Sequence, residues 1–158
     1  MHSPDDHPGI LLWRASNSWQ RSVRTVLKKQ GITQSQYILL LGLYCLETRK
    51  EIKQSYITQQ NLSEYCGCDA AMASQVLRQL EAKSLLRRLS VEDARSVSLT
   101  LTKEGAEVIS VIEDNFVDVN KSFFFSLGEN VEMFKAALQV LVNITPRMKS
   151  TKRLNKTI

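Results

Sequence analysis

The chain has 158 residues, of which 43% are hydrophobic, so it is long enough for one packed domain and too short for a separate catalytic domain beside a binding domain. Its formal net charge is +5. The segment after Pro146 accounts for this excess with Arg147, Lys149, Lys152, Arg153 and Lys156, so total charge alone is weak support for a nucleic-acid partner. Since no run of roughly eighteen apolar residues and no signal peptide are recognisable, we expect a cytoplasmic protein without a membrane span.

A long first helix is predicted over residues 8–30. Pro8 suits a first helical turn and Gly31 suits a helix end. Between them one face carries the apolar residues Leu12, Ala15, Trp19, Val23, Val26 and Leu27. This face must be buried, and the pattern is equally compatible with burial within one subunit and burial against a second subunit.

The second helix begins with a capping box. Thr33 and Gln36 have the required spacing, and the buried side that follows is predicted to carry Tyr37, Leu40, Leu41 and Tyr44. Residues 48–55 are polar and charged, which is typical of a loop or a frayed helix end.

The stretch from Ile57 to Thr102 predicts a helix-turn-helix unit followed by a hairpin. Thr58 can cap a third helix, in which Leu62 and Tyr65 face the core, and Gly67 ends it. Asp69 can cap a fourth helix, whose apolar face consists of Ala73, Val76, Leu77 and Leu80. Its opposite face is small, polar and nearly uncharged, as a DNA groove requires, and carries Ala71, Met72, Ser74, Gln75 and Arg78.

Two strands are predicted after the fourth helix, over residues 85–91 and 96–101. Val97, Leu99 and Leu101 alternate and are expected to point inward. The hairpin tip contains Asp93 and Arg95. The predicted fold class is therefore mainly α with a small two- or three-stranded β-wing, a winged helix-turn-helix over residues 33–102.

Two more helices complete the single domain predicted for residues 1–158. Thr102 can cap a fifth helix with Val108, Ile109, Ile112, Phe116 and Val119 on one face, and at about 1.5 Å per residue it would be near 35 Å long. Gly128 precedes a sixth amphipathic helix that runs to about Pro146. Such length favours a dimer, so residues 8–30 and 103–148 are predicted to form a helical dimerisation region, followed by a basic tail at 149–158.

Four features together resemble the MarR family of bacterial transcription regulators: Ile57-Thr58 followed by Leu62, the run LRQLEAKSLLRR, Asp93 with Arg95, and SLTLTKEG. The resemblance implies a homodimer that binds roughly palindromic double-stranded DNA. The fourth helix would enter the major groove, and Arg95, oriented by Asp93, would enter the minor groove.

The resemblance also implies an aromatic or lipophilic effector, which would bind where the DNA-binding part meets the dimerisation helices. The aromatic side chains placed to line such a pocket are Trp19, Tyr37, Tyr44 and Phe116, and they are equally compatible with plain core. The chain departs from the family pattern at Ser84, where glycine is usual, and at Gln75, where arginine is frequent. Since glutamine pairs best with adenine, the preferred operator is expected to differ from that of close relatives.

The distribution of histidine and cysteine argues against catalysis and against a metal site. The histidines are His2 and His7, and no phosphate-loop, hydrolase or dinucleotide motif occurs, so we expect no enzyme activity and no cofactor. Cys66 and Cys68 have only Cys45 as a further thiol, whereas structural zinc takes four ligands.

Cys45 and Cys66 fit small buried hydrophobes, whereas Cys68 directly precedes the fourth helix, whose dipole is expected to lower its pKa. Two alternatives therefore stay open: a thiol-based redox regulator that uses Cys66 or Cys68, and a winged-helix protein-interaction module. Peroxide-sensing members of the resembled family carry their cysteine in the first helix, where this chain has none.

Overall fold

The computed structural model describes residues 3–48, 56–90 and 97–144. Their order is α1 (Pro8–Lys29), α2 (Gln34–Thr48), α3 (Gln59–Cys66), α4 (Ala70–Ala82), β1 (Leu86–Ser90), β2 (Val97–Leu101), α5 (Lys103–Phe124) and α6 (Val131–Leu141). Short 3₁₀ segments precede α1 at Pro4–Asp6 and α6 at Phe125–Asn130. The predicted fold class, mainly α with a small β-wing, is confirmed. In the described ranges no helix is long and apolar enough to span a membrane.

Local hydrogen bonds fix where the helices of the helix-turn-helix begin and end. Thr58 caps α3, because its hydroxyl accepts a hydrogen bond from the backbone N–H of Asn61 at 3.1 Å. Gly67 then ends α3 with φ of 67°, a left-handed conformation that costs glycine little. Asp69 caps α4 by accepting from the N–H of Met72 at 2.8 Å. These three predicted signals are confirmed.

The first compact unit, Met1–Phe123, contains the hydrophobic core. The predicted apolar faces of α1 and α4 contribute to it, and at its centre lie Val23, Leu27, Tyr37, Leu40, Leu62, Leu77, Leu80 and Ile112. Two side chains predicted to face it do not: Tyr44 is 43% exposed and Tyr65 is 39% exposed. In α2 the apolar residues are nearly continuous, and Leu43 and Leu46 fill the core instead of Tyr44.

The wing is an antiparallel pair in which Leu86 lies opposite Leu101 and Ser90 lies opposite Val97. Leu99 is buried, as predicted. Val97 lies on the same face of β2 as Leu99, but it is 43% exposed because it lies at the distal end of the described hairpin, beyond the core.

Ile57 attaches this hairpin to the segment before α3. Its carbonyl accepts a hydrogen bond from the N–H of Leu99 at 2.7 Å, and its own N–H donates to the hydroxyl of Ser98 at 3.1 Å. The described sheet is therefore two-stranded, with Ile57 as a one-residue extension.

The second compact unit begins at Phe124, and its described part runs to residue 144. The rings of Phe124 and Phe134 lie 5.9 Å apart within it. No residue of α6 is buried, and its large apolar side chains Met133, Val140 and Leu141 are 62–69% exposed. Phe134 and Leu138 on the same helix are half-buried, so α6 combines half-buried and exposed apolar side chains.

Candidate nucleic-acid interface

The fourth helix presents one face to the core and the other to solvent. Ala73, Leu77 and Leu80 are fully buried, so their packing fixes which side of α4 faces outward. On the outward side Ala71, Gln75 and Arg78 are exposed and Ser74 is half-buried. Residues at this spacing share one helix face. The structure thus brings together four of the five predicted recognition-helix residues.

Met72 is the exception on this helix. It is half-buried and packs against the hydrophobic core, so it lies at the edge of the outward face. A flexible thioether side chain can bend towards an apolar surface more easily than the short side chains around it.

The cations around α4 fall into two groups. Arg88 forms an ion pair with Glu81 at 3.1 Å, and Lys83 donates hydrogen bonds within the fold. Arg78 and Arg87 are both exposed, and no carboxylate of the described residues forms an ion pair with either. Among the described residues around α4, these two guanidinium groups are therefore free to meet an anionic partner.

The hairpin tip with Asp93 and Arg95 lies outside the described residues. The base of the wing is described, and α2 holds it through Glu47. One carboxylate oxygen of Glu47 accepts from the hydroxyl of Thr100 at 2.8 Å and from the N–H of Leu101 at 2.9 Å. Glu47 was not predicted as a site residue, although an acid at the end of an apolar helix is a signal for such a role.

A polar network connects α2 to the recognition helix. The amide oxygen of Gln36 accepts from the N–H of Thr33 at 3.1 Å and from Nζ of Lys83 at 3.2 Å. The amide nitrogen of Gln36 donates to Oε1 of Gln79 at 2.9 Å. Lys83 also donates to the carbonyl of Gly31 at 2.6 Å. The predicted capping box at Thr33 and Gln36 is confirmed, whereas the link from Gln36 to α4 was missed.

Three of the four aromatic residues predicted for an effector pocket pack against each other. The ring centroids of Trp19 and Phe116 are 6.1 Å apart, and those of Tyr37 and Phe116 are 4.8 Å apart. Trp19 donates its indole N–H to Asn120 at 2.8 Å. These rings form part of the core of the first unit, and the exposed Tyr44 does not belong to the group.

The phenol of Tyr37 donates a hydrogen bond to Glu113 on α5 at 2.7 Å. Burial and this carboxylate raise the pKa of Tyr37 above its ordinary value, so the hydroxyl stays protonated as a donor. Tyr37 thereby joins α2 to α5.

The cysteines are thiols in half-buried positions. Burial raises the pKa of Cys66 to about 12. Burial also raises the pKa of Cys68, and the carboxylate of Asp69 adds to this effect. The predicted lowering of the Cys68 pKa is therefore wrong, because burial and the negative charge of Asp69, which caps α4, both disfavour the thiolate. Among the described residues no group of three metal-ligating side chains occurs.

Comparisons with known proteins agree with this geometry. The model of the MarR family matches residues 32–97. The HTH-type transcriptional regulator YdcH of Bacillus subtilis (strain 168) is 31% identical over 140 residues, which cover 88% of this chain and 92% of that protein. The organic hydroperoxide resistance transcriptional regulator of the same strain is 29% identical over 137 residues, which cover 84% and 85%.

A solved structure of similar fold is the MepR–DNA complex from S. aureus. It has a TM-score of 0.73 and 22% sequence identity, and the match covers 89% of this chain and 98% of that one. The match extends well beyond the winged helix-turn-helix at both ends.

Proposed function

The chain belongs to the MarR family of DNA-binding transcription regulators, and we propose that it acts as a homodimeric repressor that binds a palindromic operator and blocks transcription by occupying it. The observation that carries this proposal is the outward face of α4, where Ala71, Gln75 and Arg78 are exposed on a helix whose other face is locked into the core.

Each side chain on this face suits a different contact in the major groove. The amide of Gln75 can pair with an adenine edge through one donor and one acceptor, and Arg78 can bind a phosphate or a guanine edge. Ala71 is small enough for the helix to approach the bases, and Ser74 adds a hydroxyl beside Gln75. Met72, at the edge of the face, supplies apolar surface for a thymine methyl group.

The wing adds affinity that depends little on sequence. We propose that Arg95 enters the minor groove and that Asp93 orients its guanidinium across the hairpin tip. Support comes from the described base of the hairpin, because Glu47 and Ile57 both fix β2 to the body of the unit.

Dimerisation would cover apolar surface that a single chain exposes. At the start of α1, Ile10, Leu11, Leu12 and Trp13 are 40–68% exposed, and in α6 Val140 and Leu141 exceed 60%. Exposed apolar residues at this density are typical of an interface. We therefore assign residues 8–30 and 103–148 to the dimerisation region and leave the basic tail at 149–158 outside it. Light scattering at micromolar concentration should give twice the mass of 18.0 kDa.

An aromatic or lipophilic effector is part of this proposal. Trp19, Tyr37 and Phe116 would be its contacts, and because their rings touch each other, binding would require them to separate. Since Tyr37 is also bonded to Glu113 on α5, such a movement would reach both the DNA-binding part and the dimerisation helix. A ligand panel measured by quenching of tryptophan fluorescence tests this point.

Two alternatives make different predictions. A thiol sensor at Cys66 or Cys68 needs thiolate, which the raised pKa values of both groups disfavour, and it predicts loss of DNA binding on mild oxidation and recovery with reductant. A winged-helix protein-interaction module predicts no salt-dependent DNA binding at all.

The test is to incubate the purified protein with fragments of the genome from which it comes and to sequence the retained DNA. We expect a small set of fragments that share an inverted repeat. Arg78→Ala should lose this enrichment. Retention without any shared sequence would contradict the proposal.

A further inference from the structure

Gln36 is a buried polar residue at the junction between α2 and the recognition helix. The residue is 3% exposed, and its side chain makes hydrogen bonds with Thr33, Gln79 and Lys83. The two partners on α4 and at its C-terminal end lie one helical turn apart, and Lys83 extends the network to the carbonyl of Gly31. The network thus connects the end of α1, the start of α2 and the recognition helix.

These hydrogen bonds permit only one orientation of the Gln36 amide. The backbone N–H of Thr33 and the ammonium group of Lys83 are both donors, so the side of Gln36 that faces them must be the oxygen. The amide nitrogen then faces Gln79, whose own oxygen accepts its hydrogen bond. A network with a single satisfied arrangement holds its members in fixed positions.

Apolar packing alone does not fix α4 to the same degree. Ala73, Leu77 and Leu80 hold the helix against the core, but apolar contact is not directional and tolerates small rotations. Side chains reach about 5 to 6 Å from a helix axis, so a rotation of about 10° moves their ends by about 1 Å. A displacement of this size is enough to spoil a bidentate contact with a base.

We propose that Gln36 is a positioning residue for sequence discrimination. It fixes the rotation of α4 about its axis. The side chains of Gln75, one turn before Gln79, and of Arg78 then point towards the base edges in the correct direction. This inference rests on the proposed function, because it presupposes an operator. Non-specific affinity depends on charge rather than on helix rotation, so it should not depend on Gln36.

The experiment measures binding of a labelled operator duplex and of a scrambled duplex by fluorescence anisotropy over a range of salt concentrations. Gln36→Leu keeps the volume and the charge but removes the hydrogen bonds. We expect the ratio of operator to scrambled affinity to fall about tenfold, with the scrambled affinity and its salt slope unchanged. Gln34→Leu, in the same turn of α2 but outside the network, should leave the ratio unchanged.

Two more variants separate positioning from a general loss of stability. Gln36→Glu keeps acceptors for Thr33 and Lys83, and its second oxygen can accept from Gln79 once that amide turns, so it should recover most of the ratio. Gln79→Leu breaks the link without touching the capping box of α2, and it should reproduce the loss even if Gln36→Leu does not fold. The double variant should lose no more than either single variant.

Each remaining outcome overturns the inference. Full discrimination in Gln36→Leu or in Gln79→Leu would show that packing alone positions α4. Equal weakening of Gln79→Leu on both duplexes would show a loss of folded protein instead of lost positioning, and additive losses in the double variant would make Gln79 an independent DNA contact. If the wild-type protein distinguished no operator, the proposed function would fail as well, whereas an unaffected variant beside a selective wild type would remove only the role of Gln36.

Discussion

Replacing Gly42 by alanine should destabilise the protein because α2 and α3 approach each other most closely at this residue. A Cβ atom added at Gly42 would lie 2.4 Å from the sulfur of Cys66 and 3.2 Å from a methyl carbon of Leu62. Non-bonded atoms of this kind normally stay about 3.5 to 4.0 Å apart. The sulfur must therefore move by about 1 Å, or the two helices must separate.

The size of the effect follows from two opposing contributions. Overpacking a well-filled core costs about 1 to 3 kcal/mol, and alanine regains up to about 1 kcal/mol over glycine inside a helix. We expect Gly42→Ala to lower the free energy of unfolding by about 1 to 2 kcal/mol. For a chain of 158 residues this corresponds to a fall in Tm of about 2 to 8 °C.

Thermal and urea unfolding followed by circular dichroism would measure this change. Gly9→Ala is the matched control, since a Cβ atom at Gly9 in α1 meets nothing within 4 Å. Removing the obstructing sulfur should relieve the strain, so Gly42→Ala should cost less in a Cys66→Ala background than in the wild type. If Gly42→Ala were as stable as Gly9→Ala, the close approach of α2 and α3 would be refuted.

Three further predictions concern the bases, the wing and the thiols. Gln75→Ala should change operator preference at one position by about 1 to 3 kcal/mol, measured by competition among single-base operator variants, and unchanged preference would mean that α4 docks in another register. Arg95→Ala should weaken operator and scrambled DNA alike and make the salt slope shallower by about one unit, whereas normal binding across a salt titration would reduce the wing to solvated surface. Because the pKa of Cys66 is raised to about 12, thiolate is about one part in ten thousand at pH 8. The rate of Cys66 alkylation, measured by mass spectrometry, should therefore be low in the native protein, rise about tenfold per pH unit and become high in denaturant. Equal rates in native and denatured protein would contradict the burial of the Cys66 thiol.

Signals that act over a few residues were predicted correctly from the sequence. The caps at Thr58 and Asp69 and the left-handed turn at Gly67 depend on side chains within one turn of the helix end, and each has the predicted geometry. Ser84 was singled out because glycine is usual there, and it has a positive φ of 58°. The apolar face of α4 was also predicted correctly, because its apolar residues recur at spacings of three and four residues, with polar residues between them.

Features that depend on tertiary contacts were not predicted. The apolar run of α2 has little periodicity, so the exposure of Tyr44 was settled only by which leucines fill the core. Gln36 and Gln79 are 43 residues apart, and nothing local indicates that their amides meet. The helix dipole at Cys68 can be predicted from the sequence, but the opposing effects of burial and of Asp69 depend on the fold and raise the pKa.

In the proposed dimer, two copies of α4, one from each subunit, bind two half-sites on one side of the duplex. Half-sites of such dimers lie about one helical turn apart, which is about 10 base pairs. The most direct test is to insert about 5 base pairs between the half-sites of the enriched operator, which rotates one half-site to the opposite side of the DNA, and to measure binding by fluorescence anisotropy. We expect affinity to fall to that of scrambled DNA; undiminished affinity for the spaced operator would contradict the account.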